Sequence, residues 1–146
     1  MIILHKYPGI MQETYSILTT ATPEKVWKMW SDVKSWGSWE TSIKSAQLKR
    51  DFDKDSDGVL VYEKWPPTHF RIVSCVPNFT YTMFARLPLA TLHIRRLIGY
   101  HNSKTIITNE IWTEGPLSSF WWRLIGRRYK AQLPAAMARF KALAES

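Results

Sequence analysis

Between Ser45 and Glu114 the chain passes through six short segments rich in β-branched and aromatic residues, with no room between them for a crossover helix. They fall near 45–51, 58–65, 68–76, 79–87, 91–101 and 104–114. The punctuation is Asp57-Gly58, Pro66-Pro67, Pro77-Asn78, Pro88 and Asn102-Ser103, all turn formers. Parallel neighbours need a long connection, usually a helix, so these strands are predicted to form an antiparallel meander. A further strand is read over 12–20, QETYSILTT, which brings the sheet to seven.

Helices are predicted only at the two ends of this meander. Thr22 suits an N-cap, Pro23 the first helical position, and Glu24 complements the helix dipole. Val26, Trp30 and Val33 then repeat at i, i+4 and i+7. Gly37, within Ser35-Trp36-Gly37-Ser38-Trp39-Glu40, breaks this helix, and a second short helical turn follows. After Gly115-Pro116 a long helix is predicted to about Ala144. Trp121, Ile125, Gln132, Ala136, Phe140 and Leu143 fall near one of its faces, with Leu124 and Tyr129 beside it. Pro134 deletes one hydrogen bond and is predicted to bend it. One sheet with segregated helices is an α+β arrangement. Without repeats or linkers, a single domain over 1–146 is expected.

Composition narrows the functional classes. Hydrophobic residues make 45% of the 146 positions, so a core is predicted without covalent staples. The lone Cys75 admits no intrachain disulfide, as expected in a reducing compartment. Met1-Ile2-Ile3-Leu4-His5-Lys6 is too short an apolar run for a secretory leader. No run is long enough to span a bilayer, so stable membrane insertion is not expected. A cytoplasmic location is the expectation. The formal net charge is +8, which attracts anions, yet the charges are spread from Lys25 to Lys141. Eight tryptophans, six tyrosines and six phenylalanines supply both core and potential cavity wall.

Several blocks in this order resemble the START-like helix-grip superfamily, also called SRPBCC, in its polyketide cyclase/dehydrase branch. The front block is Ala21-Thr22-Pro23-Glu24-Lys25-Val26-Trp27, then Trp30-Ser31-Asp32-Val33-Lys34-Ser35-Trp36 with Trp39. Val76-Pro77-Asn78, Thr105-Ile106-Ile107-Thr108, Gly115-Pro116-Leu117 and Leu133-Pro134-Ala135-Ala136 follow. The resemblance covers about residues 12–145, and segment 50–70 departs from it through its acidic run and Trp65-Pro66-Pro67. It implies a seven-stranded curved antiparallel sheet gripping the C-terminal helix, two short helices after the first strand, and a cavity between sheet and helix. It further implies an apolar ligand such as a lipid, a polyketide or an aromatic compound. In some members it implies cyclisation or dehydration.

Strand alternation then nominates a wall. Phe70 and Ile72 point inward around Arg71, and Tyr81 and Met83 share a face. Ile94 lies with Leu92 opposite His93 and Arg95, and Ile107, Asn109 and Ile111 share a face. Trp39 joins this wall from the front block, and Trp121, Ile125 and Tyr129 cover it from the helix. Asn109 interrupts an apolar face and is the first candidate to orient a ligand, with Tyr62 and Tyr81 offering hydroxyls. No acid/base pair is evident, and catalytic residues are not assigned.

Other motifs fall away. His5, His69, His93 and His101 share no metal spacing, and His93 is read as outward and solvated. Asp53-Lys54-Asp55-Ser56-Asp57-Gly58 copies half of a calcium loop, but Lys64 stands where the bidentate carboxylate belongs, so a hairpin turn is expected. With no phosphate or dinucleotide glycine fingerprint and no nucleophile elbow, no cofactor is expected. Arg123, Arg127, Arg128 and Lys130 with Trp122 form a basic aromatic strip on the last helix that could touch acidic lipid headgroups or nucleic acid, as in an interaction or stress protein; a solvated face is the preferred reading. No nucleic-acid signature accompanies it, so no nucleic-acid partner is expected. A monomer or weak homodimer is expected.

Overall fold

The computed structural model describes residues 11–146; the Met1–Lys6 stretch and His5 lie outside the described residues. Strand β1 is Met11–Thr19. Helix α1 is Pro23–Ser31, followed by a 3₁₀ turn, Val33–Ser38. Strands β2 to β7 are Ile43–Leu48, Asp57–Tyr62, Thr68–Val76, Thr80–Leu87, Ala90–His101 and Lys104–Glu114. They form one seven-stranded antiparallel sheet in the order β1-β7-β6-β5-β4-β3-β2. Only the β1–β7 pairing departs from a simple meander.

Local chemistry sets the boundaries as expected. Thr22 Oγ1 accepts the amide of Lys25 at 3.2 Å, and Pro23 opens α1. Strand β2 stops at Leu48, and the charged segment 49–56 leaves the sheet as a loop, tied down by Ser56 Oγ on the Asp51 carbonyl at 2.6 Å. Asp55 sits at φ 69° within that loop, a conformation Asp tolerates. Gly58 faces the Phe70 ring, and a Cβ there would stand 2.4 Å from it.

The C-terminal helical run has three parts. Helix α2 is Ser118–Trp121, a π-helical turn covers Trp122–Gly126, and α3 is Arg127–Ala144. The helical run continues unbroken through Pro134. The irregularity precedes it, at Gly126, where a Cβ would meet the Trp122 ring at 2.4 Å. A π turn adds a residue to the helical turn, so the face read across 121–143 does not stay in phase. The buried stripe of α3 is Leu133, Ala136, Met137, Phe140 and Ala144; Ala136 and Phe140 keep their expected face, while Gln132 and Leu143 are exposed.

Half of the space gripped between sheet and helix is solid aromatic packing. Tyr81, on central strand β5, touches Trp27, Trp30, Trp36 and Phe52 with ring centroids 4.9 to 6.4 Å apart. Trp36 Nε1 donates to the Trp30 carbonyl at 2.9 Å, and Phe140 of α3 meets Trp39 edge-on at 5.1 Å. Such pairs contribute about 0.5–1.5 kcal/mol each beyond area burial. Arg139 Nε donates to the Trp39 carbonyl, and the Glu145 carboxylate accepts from Thr19 and Thr20, pinning α3 over this plug.

The β5–β6 connection is only Pro88-Leu89, with Leu87 opposite Ala90. Leu89 adopts φ 55°, a left-handed conformation that costs a branched residue roughly 1 kcal/mol. Its side chain is exposed and returns no core burial. Leu89→Asn is therefore expected to raise stability by about 0.5–1 kcal/mol in urea unfolding, with unchanged m-value.

Candidate functional site

The inward alternation of β6 runs Ile94, Arg96, Ile98, so a guanidinium enters the interior between two isoleucines. Arg96 is only 3% exposed. Its charge lies over the rings of Trp39, Trp36 and Tyr81, at 4.8, 5.5 and 5.7 Å. Nη1 donates to the Tyr81 hydroxyl, and Nη2 donates to the Tyr129 hydroxyl at 3.4 Å. Asn109, on β7, donates to the same Tyr129 oxygen at 3.4 Å. The Glu40 carboxylate stands 3.9 Å from Arg96 Nη2.

This cluster separates two hollows beneath the first turns of α3. One, of about 400 Å³, is bounded by Trp39, Thr41, Asn109, Leu133 and Met137. The other, of about 300 Å³, is bounded by Tyr62, Trp65, Leu92, Ile94, Leu124, Ile125 and Arg128. Glu40, Ser42, Tyr129 and Gln132 belong to both walls. Three buried polar atoms here have no partner among the described residues: Trp39 Nε1, Arg96 Nε and Asn109 Oδ1. Trp39 and Asn109 line the first hollow, and Arg96 lines neither.

Burial shapes the titration of the cluster. Desolvation raises the Glu40 carboxyl above its ordinary value, although Arg96 and Arg139 oppose it. Burial pushes the Tyr81 phenol up to about 12 and raises Tyr62 and Tyr129 as well. Arg96 is pulled down by its own burial, but Tyr81, Tyr129 and Glu40 more than offset this, and it stays charged.

The nominated residues divide by position. Trp39, Asn109 and Tyr129 line the first hollow, and Tyr62, Ile94, Ile125 and Tyr129 the second. Phe70, Ile72, Tyr81, Met83, Ile107 and Ile111 all point inward but lie within the packed core. Trp121 lines neither hollow; its indole donates to the Pro88 carbonyl at 2.8 Å. His93 lies across the sheet from the hollows, stacked on Trp112 at 5.0 Å and hydrogen-bonded to Thr91 at 2.8 Å. Glu110 accompanies it on that face, paired with Arg95 at 2.5 Å.

Sequence reading missed Arg96 and Glu40. Alternation that puts His93 and Arg95 outside puts Arg96 inside, so the first was available. Glu40 follows the 3₁₀ turn, where no simple period applies; its amide is fixed by the Trp36 carbonyl at 2.9 Å.

No protein-family model matches this chain, and no curated protein matches it in sequence. Solved structures do match in shape. The di-domain ARO/CYC StfQ from the steffimycin biosynthetic pathway aligns over 93% of this chain with a TM-score of 0.75 at 10% identity. This chain spans 51% of that protein, about half its length. The Aha1 dimer from Colwellia psychrerythraea gives a TM-score of 0.71 at 12% identity, covering 92% of this chain and 96% of that one. Ara h 8.0201 gives 0.70 at 9% identity, covering 93% and 98%. The fold is the START-like helix-grip fold. In this helix-grip chain the grip is closed over the aromatic plug and open beneath the first turns of α3.

Two measurements test the cluster. Arg96→Met removes the cation that faces Glu40 and two phenols, and is expected to cost about 3–5 kcal/mol in urea unfolding; adding Glu40→Gln is expected to restore part of it. Because the folded Glu40 pKa lies above the unfolded one, its contribution is fully present below the unfolded value of 4.5 and is lost as pH rises through the folded value. The stability of the native protein relative to Glu40→Gln should thus decline above about pH 4.5 and then level off.

Proposed function

We propose that this protein binds an amphipathic small molecule, with a flat apolar body and one polar head, beneath the first turns of α3. The observation that carries this reading is that two hollows share a wall of Glu40, Ser42, Tyr129 and Gln132, with Trp39 and Asn109, whose Nε1 and Oδ1 are unpaired among the described residues, lining the first. The apolar body gains about 25 cal/mol per Å² buried against Ile94, Ile125, Leu133 and Met137. The Trp39 indole donor suits a carbonyl or carboxylate, and the Asn109 oxygen suits a hydroxyl. Lipids, polyketides and aromatic compounds with such a head are the ligand class. Trp39 is held by Phe140 and faced by Arg96 before any ligand arrives, so little ordering cost falls on binding.

Saturable one-to-one binding of the fluorescent probe 1-anilinonaphthalene-8-sulfonate is expected. Gln132→Trp, which fills the wall shared by both hollows from an exposed helical position, should weaken it at least about tenfold, the cost of losing roughly 1.4 kcal/mol. Non-saturable uptake, or full affinity in Gln132→Trp, would count against the site.

One observation favours a second reading, in which the ligand reacts. Glu40 lines both hollows and accepts no side-chain hydrogen bond from the described residues. Its raised pKa brings it toward the range where a carboxyl exchanges protons efficiently. StfQ is an ARO/CYC of a biosynthetic pathway. A cyclase or dehydratase acting on a polyketide-like chain would use the hollows to bring two carbons into near-attack geometry. Glu40 would take the α-proton from a ketone and later return it to the departing hydroxyl, releasing water. Glu40→Gln should abolish turnover of a poly-β-ketone mimic while probe affinity changes less than about threefold, under 0.7 kcal/mol. Turnover by neither protein would leave binding alone, and equal turnover by both would exclude Glu40 as the acid/base group.

A further inference from the structure

The last helical run carries an apolar surface that the ligand site does not use. Leu117, Phe120 and Leu124 recur at i, i+3 and i+7, and they are 38%, 54% and 40% exposed. The Leu117 amide donates to the Leu89 carbonyl at 3.0 Å, which sets the hairpin tip against the start of this run. Leu89 is 67% exposed and held in a left-handed conformation that glycine or asparagine would adopt at lower cost. An exposed leucine at such a position indicates a use outside the folded core.

Charge identifies the partner. No Asp or Glu occurs between 115 and 144, whereas Arg123, Arg127 and Arg128 belong to the same helical run as Phe120 and Leu124. All three are exposed, and none forms an ion pair among the described residues. Apolar side chains flanked by arginines match the interface of an anionic bilayer, where the ridge enters the acyl boundary and the guanidinium groups meet headgroup phosphates. Nucleic acid would use the arginines but would leave the leucines and Phe120 in water. The surface also borders the second hollow, since Leu124 and Arg128 belong to both.

We propose that this protein docks reversibly on anionic bilayers through the Leu89–Phe120–Leu124 ridge and its arginine flank, placing the mouth of the second hollow at the membrane surface. No helix among the described residues is long and apolar enough to cross a membrane, so the contact is peripheral. Docking does not depend on the ligand reading; the ridge and its charge stand whether or not the hollows are filled.

The test is co-sedimentation of the full chain with vesicles of phosphatidylcholine alone or mixed with phosphatidylglycerol. Binding is expected only with the anionic lipid and should fall as salt rises. Arg127→Gln and Arg128→Gln should each weaken it about fivefold. Leu89→Asn with Phe120→Ser should weaken it at least about tenfold. Leu89→Asn relieves backbone strain, so its loss of binding cannot be assigned to unfolding. Absence of binding to anionic vesicles, or wild-type binding by the double variant, overturns the proposal. So does preference for single-stranded DNA over vesicles, or a concentration-dependent dimer by light scattering that the double variant abolishes.

Discussion

The interior of this protein is organised around one buried cation. Arg96 enters between Ile94 and Ile98 and cannot hydrate. Its charge is held by three aromatic faces, two phenol oxygens and one carboxylate. A guanidinium is less strongly hydrated than an ammonium and stacks on flat rings, so it tolerates this setting better than lysine would. The arrangement fixes the parts around it. Trp36, in the 3₁₀ turn, and Trp39, which follows it, both present a ring face to the Arg96 charge, and Tyr129 reaches it from the first turn of α3. Tyr129 and Leu133, at i and i+4 of α3 after the π turn, share its inward face.

This constraint explains why the grip is solid at one end and hollow at the other. Trp36 and Trp39, which face Arg96, also pack Tyr81 and Phe140, while Trp27 packs Tyr81 and Phe52, filling the side beneath α1. Where the rings stop, α3 rests on the sheet through Tyr129 and Leu133, and the space to either side stays open. The outward face of the sheet is independent of this. There His93, Trp112 and Arg95 stack over one another, and burial lowers the imidazole pKa while Glu114 raises it. That layer covers the strands and contributes nothing to the hollows.

Much of the candidate site was written in the strand alternation. Asn109, Ile94 and Tyr62 face the interior because residues two apart share a face of a strand. The same rule placed Phe70, Ile72, Tyr81 and Met83 inward, but facing inward and lining a void are different properties. Which inward residue meets empty space depends on what arrives from the other layer, and α1 and the 49–56 loop fill the space over Tyr81. Trp121 shows the converse: its helical position suggested a cover for the hollow, but the Pro88 carbonyl holds the indole at the rim.

By itself the sequence determined the sheet, its seven strands, the capped first helix and the helical C-terminal run. These follow from contacts between near neighbours, from side-chain periodicity and from turn residues that admit few conformations. Only the tertiary structure decided that Glu40 meets Arg96 across 56 positions, that Gly126 marks a π turn, and that the void divides around Tyr129. The physical reason is that a void is the space left after all layers have packed. No local pattern encodes the volume that distant side chains fail to fill.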